Sequence, residues 1–310
     1  MSSDFPIPQS IPPEIKRYAK RSERGVGKTG KDGVLRLDFQ KDPTNGNTVI
    51  REQYSRVPLF AQRAMYLEET LPAMAYVYIV SPSGGILQGD RYLIDITLGN
   101  NTFAHVTTQG ATRIYKMQKN YASQIINIKM EDESYFEYIP DQIIPFRNSR
   151  FYQEVHLNVH DNATMIYSEV IVPGRVASGE AFDYDICYIR TIGKNQLGRI
   201  RFIDTVKLEP RKQKLMTKDI LCNFDTVGTI YIVTKKSFTN DLYYQISDQI
   251  RVLENRRKIY SGTSFLPAGQ GMIVRIVGNS SDNIKKIIYD VIGVTRKRIV
   301  NASFSAIRKA

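Results

Sequence analysis

Five carboxylates are the first candidates for chemistry in this chain: Asp90, Asp141, Glu169, Glu180 and Asp204. Each lies beside a strand-like run or a turn, in a sequence whose formal charge is +12. Carboxylate oxygens, with imidazole and water, suit hard and borderline divalent cations. Weak, exchangeable contacts of that kind serve transfer better than storage. The competing reading is that such acids are solvated or paired with Lys and Arg.

Asp90 closes the stretch "SPSGGILQGD", residues 81–90. Gly84 and Gly89 have the spacing of a phosphate loop, but Asp90 and Arg91 follow where Lys and Ser or Thr are needed. A carboxylate there would repel the phosphates. A strand-like run, "RYLIDITL", comes next, whereas a phosphate loop opens a helix whose N-terminus holds the anion. The dinucleotide fingerprint is absent as well. A glycine-rich hairpin connection explains the glycines and leaves Asp90 unexplained.

The histidines are His105, His156 and His160. "HLNVH" reads as a strand, and four residues of strand span roughly 13 Å. Ligands of one ion lie about 2 Å from it, so His156 and His160 cannot chelate together along a straight strand. They read as ordinary surface histidines. Cys187 and Cys222 have no paired spacing and read as buried inert thiols, with no disulfide framework and no zinc ribbon. No G-x-S-x-G elbow and no Cys–His signature is present, so the site chemistry indicates no enzyme.

The elements that must position these residues are mostly strands. Residues 1–30 are polar, basic and proline-bearing, and read as a poorly ordered, flexible arm. From about residue 33 strand signals recur every ten or so residues, among them "VLRLDFQ", "MAYVYIV", "SQIINIKM", "TMIYSEVIV" and "GTIYIVTKK". No helical pattern intervenes, so a βαβ architecture is not expected. A large antiparallel or solenoid-like β fold remains, although no fixed-length repeat is visible. Two helices are expected late. One follows Asn240 as a cap, with Leu242, Ile246, Ile250 and Leu253 on one face. The other follows Ser281, with Ile284, Ile287, Ile288 and Val291. Both stripes should pack on a sheet. One strand, "MIVRIVG", lies between them.

The composition, 42% hydrophobic and 24% charged, is that of a soluble globular protein. No apolar run reaches the roughly 18–20 residues needed to span a bilayer, and the N-terminus has no apolar signal core. The expectation is a cytoplasmic protein. Basic clusters occur at Lys16–Arg24, Lys207–Lys218 and Arg251–Lys258, with acids between them and no nucleic-acid motif. An acidic protein partner would use the same charge.

Several ordered motifs carry a resemblance. They are "RVPLFAQRAMYLEE", "GGILQGD", "TTQGATRIYK", "FEYIPDQIIPFRNSRFYQ", "SEVIVPGRVASGEAF" and the C-terminal "VGTIYIV" and "GMIVRIVGNSSDNIKKII". Together they resemble the urease accessory protein family UreD, called UreH in some organisms, over roughly residues 33–300. Gly84, Gly85, Gly89 and Asp90 match its glycine loop. Thr107, Thr108, Gly110, Ala111, Thr112, Arg113 and Tyr115 match the next segment, and Pro140, Asp141, Gly174, Arg175, Gly179 and Glu180 the middle ones. Ser81 stands where the family often has histidine, and the tryptophan usual in its last helix is absent.

The resemblance implies a non-enzymatic urease maturation chaperone. It implies a mostly β, multi-sheet solenoid-like single domain over residues 31–300 with two C-terminal helices and a tail at 301–310. The partners implied are apo-urease, a UreF-like protein and a UreG-like GTPase, with a dimer possible within the accessory complex. Nickel would be a transient cargo on an internal path, and no cofactor would be tightly bound. Asp90, Thr112, Glu169 and Asp204 are expected to line or support that path, since they combine motif position with oxygen chemistry. The alternative is a basic β-rich nucleic-acid-binding protein.

Overall fold

The structure, a computed structural model, describes Pro8 and residues 11–19, 30–215 and 220–306, without the side chains of 255–257. A short helix, α1 (Pro13–Lys16), comes first. Strands β1 (Asp32–Lys41) and β2 (Thr48–Arg56) open one sheet, and β3 (Phe60–Ala61) and β4 (Ala75–Val80) open a second. From there the chain alternates between the two sheets. It passes through β5 (Arg91–Leu98), β6 (Phe103–Thr108) with the short β7 (Thr112–Ile114), and β8 (Ala122–Met130). It continues through β9 (Tyr135–Tyr138) with the short β10 (Ile143–Pro145), then β11 (Arg150–Val159) and β12 (Thr164–Ile171). A small ribbon, β13 (Gly174–Arg175) and β14 (Glu180–Ala181), leads into β15 (Ile186–Lys194) and β16 (Ile200–Leu208). The chain finishes with β17 (Thr226–Val233), α2 (Lys236–Arg257), β18 (Ile259–Phe265), β19 (Gly271–Gly278) and α3 (Ser281–Ile299).

The first sheet has the order β16-β15-β11-β8-β5-β1-β2, and the second β18-β19-β17-β12-β9-β6-β4-β3, with β7 and β10 beside it. Pairs β1–β5, β5–β8, β8–β11 and β11–β15 are parallel, as are β4–β6, β6–β9 and β9–β12. Parallel neighbours need a long crossover. Here the crossover is a strand of the opposite sheet rather than a helix, so the chain winds in stacked coils. Of the two β architectures left open by the sequence, the solenoid-like one is observed. Successive partners Arg91, Ser123, Tyr152 and Tyr188 lie 32, 29 and 36 residues apart along the chain. The coils vary in length through their turns, and no fixed period is written into the sequence.

Side chains alternate across each strand. One phase points into the space between the sheets, where Ile94, Ile126, Val155, Tyr167, Tyr231 and Phe202 belong to one buried core. The other face of the second sheet meets α2 and α3 through Leu242, Ile246, Ile250, Ile284, Ile287, Ile288 and Val291, all buried, with Leu253 partly buried. The two apolar stripes pack as expected. Their starts differ from expectation. Helix α2 begins at Lys236, so Asn240 lies inside it and caps nothing. Helix α3 is capped by Ser280, whose hydroxyl accepts from the Asn283 N–H at 3.3 Å, one residue before the expected Ser281. Two strands, not one, lie between the helices. The "IYSGTSF" of β18 has an exposed edge pattern and only Ile259 buried, so it lacks the apolar alternation that marks an inner strand.

Part of the arm is also ordered against the sheet. Ile15 is fully buried with Tyr121, Tyr152 and Ile186. Arg17 pairs with Glu209, and Lys207 with Glu14 at 3.1 Å. Described members of two basic clusters are thereby joined through acids. No helix among the described residues is long and apolar enough to cross a membrane.

Candidate functional site

The glycine loop is built by close backbone approach. The Ile86 N–H donates to the Arg113 carbonyl at 2.8 Å, and the Tyr115 N–H to the Ile86 carbonyl at 2.9 Å. This seats residues 84–89 on β7. A Cβ at Gly85 would fall 2.6 Å from both the Arg113 carbonyl oxygen and the Tyr115 ring, so only glycine fits. Tyr115 in turn packs on Phe146, their rings 4.8 Å apart.

Asp90 completes the loop and is almost wholly buried. Its Oδ1 accepts from the Lys31 N–H at 2.8 Å and the Gly30 N–H at 3.3 Å. Its Oδ2 accepts from the Leu87 N–H at 2.8 Å and the Tyr92 hydroxyl at 3.2 Å. The carboxylate staples its own turn to the chain ahead of β1. That accounts for the acid after the glycines, and its oxygens are committed to donors rather than to an ion.

The other motif residues fall into two groups. Gly84, Gly85, Gly110, Thr112, Arg113 and Asp141 surround the mouth of a cavity of about 330 Å³ between the sheets, where Ser81, Thr108 and Pro140 also contribute. Thr107 and Thr108 fix the adjoining turns: the Thr107 hydroxyl donates to the Ile139 carbonyl at 2.6 Å, and Thr108 Oγ1 accepts from the Asp141 N–H at 2.9 Å. Asp141 also holds Lys285 of α3 at 2.8 Å. Gly174, Arg175, Gly179 and Glu180 form the β13–β14 ribbon instead. Arg175 donates to both Glu180 oxygens, at 2.9 and 2.6 Å, and lies 4.2 Å over the Phe146 ring. A Cβ at Gly174 would meet the Glu180 carbonyl oxygen at 2.2 Å. This ribbon is a structural clasp, and none of its four residues lines the cavity.

Glu169 lies at the inner end of the cavity, 4% exposed. Its Oε1 accepts from the Tyr167 hydroxyl and from Gln153 Nε2 at 3.1 Å, and Gln153 Oε1 accepts from Gln124 Nε2 at 3.1 Å. Its Oε2 has no protein partner. Burial first of all, and the Asp204 charge with it, raise the carboxyl to about 7, against the opposing pull of Tyr167, Arg275 and Gln153. A buried carboxylate with one uncommitted oxygen, in a cavity where amides and hydroxyls share the wall with apolar side chains such as Ile94, Ile126 and Ile143, fits a cation held briefly and through few bonds. Among the described residues no group of three or more His, Cys, Asp or Glu is placed to hold a metal ion.

Asp204 is not in the cavity lining. It sits on the edge strand β16, bound to Arg275 and to the Tyr231 hydroxyl. The four expected path residues are thus placed apart: Thr112 at the mouth, Glu169 inside, Asp204 beyond it, and Asp90 in the loop's own hydrogen bonds. The residues not anticipated are Gln124, Gln153, Thr229 and Arg275. Their signal is phase. Each occupies an inward position on a strand whose other inward residues are apolar, as Ile126 and Ile128 are around Gln124.

The histidines are each paired with an acid. His156 meets Glu154 at 2.7 Å and His160 meets Asp132 at 3.2 Å, on separate partners. His105, 3% exposed, is interior and meets Glu137 at 2.6 Å. Cys187 is buried, and burial pushes its thiol well above the usual range, so it holds no thiolate; Cys222 is half-buried.

Comparison with known proteins points one way. The profile of one family, described as UreD urease accessory protein, matches residues 31–309. A urease accessory protein UreD of Cenarchaeum symbiosum is 42% identical over 285 residues, covering 92% of this chain and 98% of that protein. One from Photorhabdus laumondii is 34% identical, covering 94% and 90%. A urease accessory protein UreD 2 of Brucella canis is 35% identical, covering 94% and 95%.

Proposed function

The chain belongs to the UreD family of urease accessory proteins, and on that premise we propose that it is a non-enzymatic chaperone that passes nickel to apo-urease through its own lumen. In this reading it works in the cytoplasm within a complex of a UreF-like protein, a UreG-like GTPase and urease, and that complex can hold two copies of the chain. Nickel is cargo, and no cofactor stays bound.

The observation that carries the reading is Glu169, whose Oε2 is unpartnered inside a cavity that the glycine loop and β7 help to line. Thr112 and Asp141 supply oxygen at the mouth, and Glu169 supplies the interior charge. Oxygen donors bind Ni(II) weakly enough to release it. Asp90 supports the path indirectly, by holding the loop that frames the mouth.

The test is assembly against delivery. The chain, co-expressed with its cognate urease and accessory proteins, should co-purify with urease and a UreF-like partner. Glu169→Gln should leave that complex intact and lower the nickel content of the urease it yields by at least about tenfold. A complex that forms with Glu169→Gln and yields fully loaded urease would contradict the lumenal path.

A further inference from the structure

Six strands of the solenoid each place one polar side chain in their inward phase. These are Gln124 of β8, Gln153 of β11, Glu169 of β12, Thr229 of β17, Arg275 of β19 and Asp204 of β16. Glu169, Thr229 and Arg275 are direct cross-strand neighbours in one row. Arg275 Nη1 donates to Thr229 Oγ1 at 3.3 Å, and Nη2 pairs with Asp204 of the opposite sheet. The polar layer therefore continues past the cavity, from Glu169 to an ion pair that bridges the two sheets. Asp204 lies on the edge strand of its sheet, and Arg275 lies one strand in from the edge of the other. Their side chains are 23% and 41% exposed, so this end of the layer is open to water.

A guanidinium on a cation's route is permanently charged and repels the ion; Arg113 stands at the mouth, and Arg275 is ion-paired at the other end. We propose that the Arg275–Asp204 pair is an electrostatic gate at the far end of the lumen. Arg275, with the Tyr231 hydroxyl, occupies the Asp204 oxygen that a divalent cation would use, and its charge slows the ion's arrival at Glu169 until the pair opens. This rests on the lumenal path proposed above. Asp204 acts in opposition to Arg275: it neutralises the guanidinium, and once released it becomes the next oxygen ligand along the row.

The two members of a purely structural ion pair should respond alike when either is removed. The gate predicts opposite responses. The test follows Ni2+ uptake by the purified chain, by equilibrium dialysis and by stopped-flow with a metallochromic indicator. Arg275→Gln should fill about tenfold faster than wild type, Arg275→Lys should match wild type, and Asp204→Asn should fill more slowly. Adding Glu169→Gln to Arg275→Gln should abolish saturable uptake. If Arg275→Gln does not fold, a faster-filling Asp204→Asn alone overturns the gate. Equal or like-signed responses of Arg275→Gln and Asp204→Asn, with uptake still dependent on Glu169, overturn the gate and leave the path standing. If Ni2+ uptake is not saturable in wild type or in Arg275→Gln, both the gate and the path fall.

Discussion

Glu169 and Asp90 are acids of the same motif series with opposite fates. Asp90 spends both oxygens on three backbone N–H groups and a phenol, whereas Glu169 keeps one oxygen free inside a cavity. Motif position flagged both, but only their hydrogen-bond partners separate them, and those come from residues distant in the chain. Phase was a legible clue: Glu169 shares the strand face of Met165, Tyr167 and Ile171, which face the core. The burial of Glu169 has a measurable cost. Its carboxyl is raised to about 7 in the fold, above its value in the unfolded chain. Ionising it therefore costs stability as pH rises, from nothing below the ordinary carboxylate range to the full amount above about 7. Glu169→Gln should unfold at nearly the wild-type temperature near pH 4.5 and be more stable by up to about 3 kcal/mol at pH 8. A pH series of thermal melts checks this. A variant that gains stability while losing nickel delivery is what a functional acid predicts; equal melts at pH 8 would place the carboxyl in water.

At the scale of elements, the apolar stripes of α2 and α3 were readable because tertiary packing uses the same periodicity that the sequence displays. The element that pins α3 was not readable. Arg296 is fully buried, donates to Glu137 at 2.6 and 2.7 Å and to Glu68 at 3.1 Å, and lies 4.7 Å over the Phe304 ring. A charge among Lys297 and Arg298 reads as part of a solvated helix end, and nothing local reveals two acids waiting on other elements. Burial by itself would raise Glu137. The Arg296 fork, with His105, outweighs it and holds the carboxyl at about 2. Arg296→Met leaves that carboxylate buried without its main partner, and should cost about 3–5 kcal/mol. Adding Glu137→Gln should recover part of the loss, read by urea unfolding. A double variant as unstable as the single would show that Arg296 acts through packing alone. At the loop, Gly85→Ala should push the glycine turn off β7, because the new methyl would overlap the Arg113 carbonyl. The expected outcome is a destabilisation of about 1–3 kcal/mol.

For the whole molecule, strand content and the absence of βαβ units follow from alternation alone, and the two expected late helices are present. The coil was hidden because its turns are unequal: the ribbon β13–β14 lengthens one coil to 36 residues where its neighbour has 29. Family membership places the molecule in urease maturation, and the polar layer is the feature on which the proposed nickel route rests. The most direct measurement is nickel content and urease activity in cells that carry the cognate urease and accessory genes but lack this chain. Restoring the wild-type chain should restore both, and restoring Glu169→Gln should yield assembled, nickel-poor, inactive urease. Full nickel loading with Glu169→Gln, at equal levels of soluble chain, would contradict passage through the lumen.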